Sequence, residues 1–290
     1  MLRVRDLLER NLDQTIEEII KVDQRDQQTV YREISEYVVT DRISAEYRQL
    51  LTAMAEAPSD PTEGIGVWVS GFFGSGKSSF AKNLGYALAN REVLGTPAAE
   101  LFKRQFKDPH VGALIDSISA RIPTEVAMFD VSVERAVCRA NERLAEIMYT
   151  VLLRELGYAE DYTLADLEFE LEGESKLAEF EQRCRAMYED RPWTQVRKGA
   201  QRLSRASAIL HAMDPATYAN EESWARTEHS EDTTVRRFVQ RAFDMLARRR
   251  PGQALAFIID EVGQYVPAVR RRSRIYAPSS RSLARRARTA

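Results

Sequence analysis

The 290-residue sequence predicts an α/β fold. Three observations carry that expectation. Short apolar, β-prone runs stand at Ile65–Ser70, Val126–Val131 and Ala254–Ile259, each suited to burial on both faces as in a parallel sheet. Between them lie stretches whose apolar residues recur every three or four positions, the period of a helix face. A glycine-rich segment, Gly71–Ser78, follows the first β-prone run and opens a helical stretch from Ser78 to Asn90.

The N-terminal 60 residues read as helical. Leu2, Leu7, Leu8, Leu12, Ile16, Ile19 and Ile20 form one stripe, and a second helix follows Asp26 with Val30, Ile34 and Val38 inward. Thr40 or Asp41 can cap a third, with Ile43, Tyr47, Leu50, Leu51 and Met54 as its apolar face. Ala57-Pro58-Ser59-Asp60-Pro61 breaks the pattern. After the second β-prone run, a helical stretch is expected from about Glu134 to Leu156. Residues 160–250 read as a charged helical insertion, acidic over Asp161–Glu181 and basic over Arg183–Arg205, whose charges suit a solvated face or i,i+4 pairs. The expected organisation is a helical region 1–60, an α/β core 61–267 carrying that insertion, and a basic tail 268–290.

Composition excludes several classes. With 44% hydrophobic, 30% charged and 9% aromatic residues, the chain is suited to a sizeable core and is no disordered or collagen-like sequence. No apolar run approaches the roughly 18 residues that span a bilayer, and the acidic Asp6 and Glu9 leave no signal-peptide apolar region, so a cytoplasmic chain without membrane contact is expected. Two cysteines, Cys138 and Cys184, and three histidines are too few for a disulfide framework or a zinc site. The net charge of −2 conceals an asymmetry: eight arginines and no acid follow Ala268, leaving 34 basic against 44 acidic residues before it. Such a tail reads either as a nucleic-acid-binding arm or as a segment foreign to the design of the rest.

Gly71-Phe72-Phe73-Gly74-Ser75-Gly76-Lys77-Ser78 satisfies G-x-x-x-x-G-K-[ST] between a β-prone run and a helix, the context its chemistry requires. Glycines let backbone amides turn inward onto phosphate oxygens, and the following helix adds its N-terminal amides and positive dipole end. Lys77 is expected on the β- and γ-phosphates and Ser78 on Mg²⁺, with Ser79 completing the loop contacts to ATP. Phe72 and Phe73 suit packing against the sheet, with contact to a neighbouring subunit as the alternative. Phe257-Ile258-Ile259-Asp260-Glu261 supplies the complementary half: Asp260 for Mg²⁺ and Glu261 as general base for the attacking water. Alone, that run is also what any strand ending in an acidic turn looks like. Together the two motifs point to a three-layer P-loop NTPase core of the additional-strand type, as in AAA+ and RecA-like ATPases. No Asn-Lys-x-Asp guanine motif is present, and the 183 residues from Lys77 to Asp260 exceed what a minimal small-molecule kinase needs.

On these residues the sequence resembles the large P-loop ATPases of bacteriophage-exclusion (BREX) systems, the BrxC family, and their phage-growth-limitation relatives, PglY. The resemblance rests on Ile19-Ile20-Lys21-Val22-Asp23, Glu36-Tyr37-Val38-Val39-Thr40, the long run Gly66 to Lys82, and Phe257 to Val266. It implies ATP hydrolysis, to ADP and phosphate, within a phage-defence and DNA-modification system. Other components of that system are the implied partners, DNA is reached through the complex, and full-length members are open to homo-oligomerisation. Family members are far longer, and their sheet continues past this strand to a sensor and an arginine finger. Arg272–Arg285 can be encoded by codons whose shifted frame reads Ile-Gln-Asp-Leu-Arg-Ala-Val-Val-Glu-Lys-Phe-Gly-Thr, similar to the family's continuation. The expectation is therefore a truncated, frameshifted member, weakly active or inactive alone. Two alternatives stay open: another AAA+ or conflict-system ATPase, and a nucleotide-binding interaction module without hydrolysis.

Overall fold

A computed structural model of the chain describes residues 26–56, 66–72, 74–137, 144–227 and 235–262. The stripe from Leu2 to Ile20, the Ala57–Pro61 break, Ile65, Phe73, Cys138 and the arginine-rich tail lie outside the described residues.

Helix α1 spans Gln27–Ser35, capped by Asp26, whose side chain accepts from the Thr29 amide at 2.8 Å. Val30 and Ile34 are buried. Val38, expected on the same face, lies beyond the C-cap Glu36 and is 71% exposed, because the helix has ended before it. Helix α2 is Asp41–Glu56; Thr40 Oγ1 accepts from the Ile43 amide at 3.3 Å, and Tyr47 and Leu51 are buried. Helix α3, Lys77–Ala89, ends at Asn90, whose left-handed backbone (φ 44°) turns its N–H back to Tyr86 O. A two-residue hairpin follows, β1 Glu92–Val93 and β2 Thr96–Pro97, with positive φ at both Leu94 and Gly95 in its turn. Helices α4, Ala98–Lys103, and α5, Pro109–Arg121, complete this half.

Strand β3, Thr124–Asp130, pairs in parallel with β4, Ala254–Asp260, in continuous register from Thr124–Ala254 to Asp130–Asp260. Val131, expected to end the strand, instead begins helix α6, Val131–Val137. Of the helical stretch expected from about Glu134 to Leu156, the part up to Val137 is helical in α6 and Leu144–Leu156 forms α7, while 138–143 lie outside the described residues. Alternation along the strands sorts side chains to two layers. Val126, Met128, Ala256 and Ile258 join a core with α1–α5, whereas Ala127, Phe129, Phe257 and Ile259 join Ile147 and Val151 of α7. Helices therefore cover both faces of the two-stranded sheet.

The chain between α7 and β4 forms helices α8, Tyr162–Gly173; α9, Leu177–Met187; α10, Trp193–Val196; α11, Arg202–Met213; and α12, Val235–Arg249. Ala242, Met245 and Leu246 of α12 pack with Leu152, Leu153 and Leu156 of α7, whereas Leu164, Leu167, Phe180, Trp193, Ile209 and Leu210 form the shared core of α8–α11. Inside it, the Glu168 carboxylate accepts from Trp193 Nε1 at 2.6 Å, from Arg197 at 2.8 and 3.0 Å, and from the Ala159 amide at 2.9 Å. A buried carboxylate is tolerable only when paired and fully hydrogen-bonded, and this one is both. Many of the charges are solvated as expected, Glu170, Glu179, Glu181 and Arg183 among them, and Arg226–Glu222 is an i,i+4 pair. Others pair between elements: Arg197 meets Glu168 and Arg202 meets Asp161, tying the basic segment to the acidic one. Helix α12 attaches in the same way, through Arg241–Asp166 and Arg249–Glu172.

Candidate functional site

The segment leading into the glycine-rich loop departs from expectation. Residues 66–70 form no strand, and Val67, Trp68 and Val69 are 54%, 74% and 39% exposed. A β-prone run becomes a strand only where a partner completes its hydrogen-bond ladder, and among the described residues β4 pairs with β3 alone. Phe72, expected to pack on the sheet, is 92% exposed for the same reason. Phe73 lies outside the described residues.

The loop itself is built by glycine. Gly74 and Gly76 both adopt left-handed backbone (φ 75° and 83°), which L-residues reach only at a cost of about 1–2 kcal/mol. Between them, the Ser75 amide donates to Phe72 O at 3.2 Å, closing a turn. Gly71 sits so close that a Cβ there would lie 2.7 Å from Ser75 Oγ. Gly76 is the N-cap of α3 and has no side chain to satisfy the first amides. Lys77, Ser78 and Ser79 thus open the helix with N–H groups that have no intrahelical acceptor, the arrangement that receives anions. The Lys77 ammonium folds back across the loop and donates to Phe72 O at 2.9 Å.

A cavity of about 1050 Å³ borders the loop. Gly74, Ser75, Gly76, Lys77 and Ser79 line it together with Tyr37, Trp68 and residues of α1 and α2. Gly71, Phe72 and Ser78 are not part of that lining. Below, Asn83 Nδ2 donates to Ser79 O at 2.9 Å, and Asn83 Oδ1 is buried without a partner among the described residues. Tyr47 stacks on Phe80 (centroids 4.1 Å apart), and its hydroxyl donates to Phe80 O at 2.8 Å while lying 3.4 Å from the Tyr37 hydroxyl. Desolvation pushes the Tyr47 phenol far up, so it is a permanent donor.

Asp260 ends β4 and Glu261 follows it; the Glu261 amide donates to Asp260 Oδ1 at 2.9 Å and Glu261 takes a left-handed backbone (φ 57°). Neither lines the loop's cavity. The structure therefore brings Lys77 and Ser79 together at one site and holds Asp260 and Glu261 at the end of the sheet. Helix α3 joins the two halves by packing on the sheet at Gly85, where any Cβ would overlap Met128 Sδ and Ile258 Cδ1.

No family model matches the chain, and no solved structure matches it. The loop fits a phosphate chain: two left-handed glycines, free helix amides and one lysine converge on it. Neither of the residues expected on Mg²⁺, Ser78 and Asp260, lines the cavity beside the loop, and among the described residues no cluster of three or more His, Cys, Asp or Glu could hold a metal. One carboxylate escaped the sequence reading. Asp130 stands beside Asp260 in register and accepts from the Ser132 amide and hydroxyl at 2.7 and 2.6 Å. The signal was an apolar strand ending in aspartate, as at Ile259-Asp260. No helix among the described residues is long and apolar enough to cross a membrane.

Proposed function

We propose that the chain binds the triphosphate of ATP at Gly71–Ser79, with Lys77 as the charge-neutralising residue. One observation carries this reading: Gly74 and Gly76 are both left-handed immediately before Lys77 opens α3. That geometry opens α3 with uncapped backbone amides at the residue that carries the ammonium, the combination that polyphosphate binding requires. Helices on both faces of the parallel β3–β4 pair support the P-loop NTPase fold class. Bound Mg²⁺ would neutralise phosphate charge, with Ser78 and Asp260 as the candidate ligands and Glu261 as the candidate base. The resemblance to BREX ATPases makes a cytoplasmic phage-defence role, alongside the other components of such a system and DNA held by the complex, the biological context we propose. The test is equilibrium binding of Mg²⁺-ATP to the 290-residue chain with inorganic triphosphate as competitor. Saturable, competed binding supports the assignment, and none at millimolar ATP removes it.

A second reading, nucleotide binding without turnover, draws on Asp260 and Glu261 not being among the residues that line the loop's cavity.

A further inference from the structure

Three residues join α1 to α3 immediately below the phosphate loop. Lys82 is 1% exposed, and its ammonium meets Glu33 Oε1 at 2.6 Å. Tyr86, one turn further along α3, donates its hydroxyl to Glu33 Oε2 at 2.8 Å. Each carboxylate oxygen thus holds a different turn of the same helix. Lys82 and Tyr86 are four apart and share a face, so the bridge resists both sliding of α3 and rotation about its axis. Gly85 holds the helix against the sheet. Helix α3 is clamped between the sheet and α1.

We infer that Glu33 is a positioning residue for the phosphate loop: by gripping Lys82 and Tyr86 it sets the direction in which Lys77 and the first amides of α3 point. The inference rests on the nucleotide reading for its functional consequence, though the grip itself does not. Two observations and the geometry of a helix converge on it. Glu33 and Lys82 line the same cavity as Gly74–Lys77, so the bridge stands beside the site it orients. Tyr47 of α2 holds Phe80 O, one turn above, giving the helix pair a second hold on α3. Successive residues on a helix point about 100° apart, so a small rotation of α3 re-aims every N-terminal amide. Seating of α1 and phosphate binding are therefore linked, and by reciprocity nucleotide should tighten α1.

The experiment uses the 290-residue chain and four variants: Glu33→Ala, Glu33→Gln, Lys82→Glu alone, and the charge swap Glu33→Lys with Lys82→Glu. Hydrogen exchange without nucleotide reads the clamp, and Mg²⁺-ATP affinity reads its consequence. Glu33→Ala should speed exchange in α3 while α7 and α9 keep their rates, and should weaken ATP about 5- to 20-fold, a usual size for coupled sites. Glu33→Gln, which keeps the shape and one acceptor, should fall in between and covers the case in which the alanine variant fails to fold. The swap should recover both the α3 exchange rates and most of the affinity lost in Lys82→Glu, and recovery of stability to denaturant without recovery of affinity overturns the inference. Unchanged α3 exchange in Glu33→Ala, or a rise spread evenly over the chain, overturns the inference. If the parent chain binds no ATP, the nucleotide reading fails, and α3 exchange alone still decides whether Glu33 positions the helix.

Discussion

The Lys77 ammonium donates to the Phe72 carbonyl, closing the glycine-rich loop over its own helix N-terminus. The lysine is held where a phosphate would replace a carbonyl as its partner. Lys77→Ala should abolish protection of the chain by ATP against thermal unfolding. At a ligand concentration 100-fold above Kd that protection amounts to about 2.7 kcal/mol. The side chain is only half-buried, so the melting temperature without nucleotide should barely move. Undiminished protection in a thermal-shift assay would remove the phosphate assignment.

Gly74→Ala separates loop geometry from fold. The position is open, with nothing within 4 Å of an added Cβ, yet its φ is 75°. The cost of about 1–2 kcal/mol is therefore backbone strain local to the loop. ATP affinity should drop while the rest of the chain keeps its exchange rates, and a global loss of protection would contradict this.

Gly85→Ala tests the opposite case. Alanine favours helix by up to about 1 kcal/mol, but its methyl would overlap Met128 and Ile258 at the centre of the sheet. Overpacking of this kind costs about 1–3 kcal/mol, so net destabilisation is expected in denaturant titration. Stabilisation would show that α3 does not press on the strands.

Glu168→Ala should be the most damaging change in the helical region. It leaves the Arg197 guanidinium, whose side chain is 14% exposed, without its carboxylate, along with Trp193 Nε1 and the Ala159 amide. Breaking one side of such a pair costs about 3–5 kcal/mol. A midpoint shift below 1 kcal/mol in urea would mean the network is far less buried in solution.

Hydrolysis is the remaining question. Stabilising the phosphoryl-transfer transition state depends on charges positioned together, and here neither Asp260 nor Glu261 lines Lys77's cavity. Phosphate release from excess Mg²⁺-ATP should be negligible, and Glu261→Gln should leave ATP binding intact. Steady turnover that Lys77→Ala eliminates would show that the two halves do meet.

What the sequence determined by itself is local. The caps at Asp26 and Thr40, the left-handed glycines, the start of α3 and the alternating faces of β3 and β4 follow from residue type and period over a few positions. The tertiary structure alone decided everything that needs a partner. Gly66–Ser70 has the composition of a strand yet stays unpaired, because ladder hydrogen bonds come from a neighbour and not from the run itself. Val38 faces out because α1 stops short of it. The charges of the helical region carry no signal for which acid each arginine meets, and only packing put Arg197 on Glu168 and Lys82 on Glu33. Local sequence restricts what a residue can do, while burial and pairing across the chain select which of those possibilities is realised.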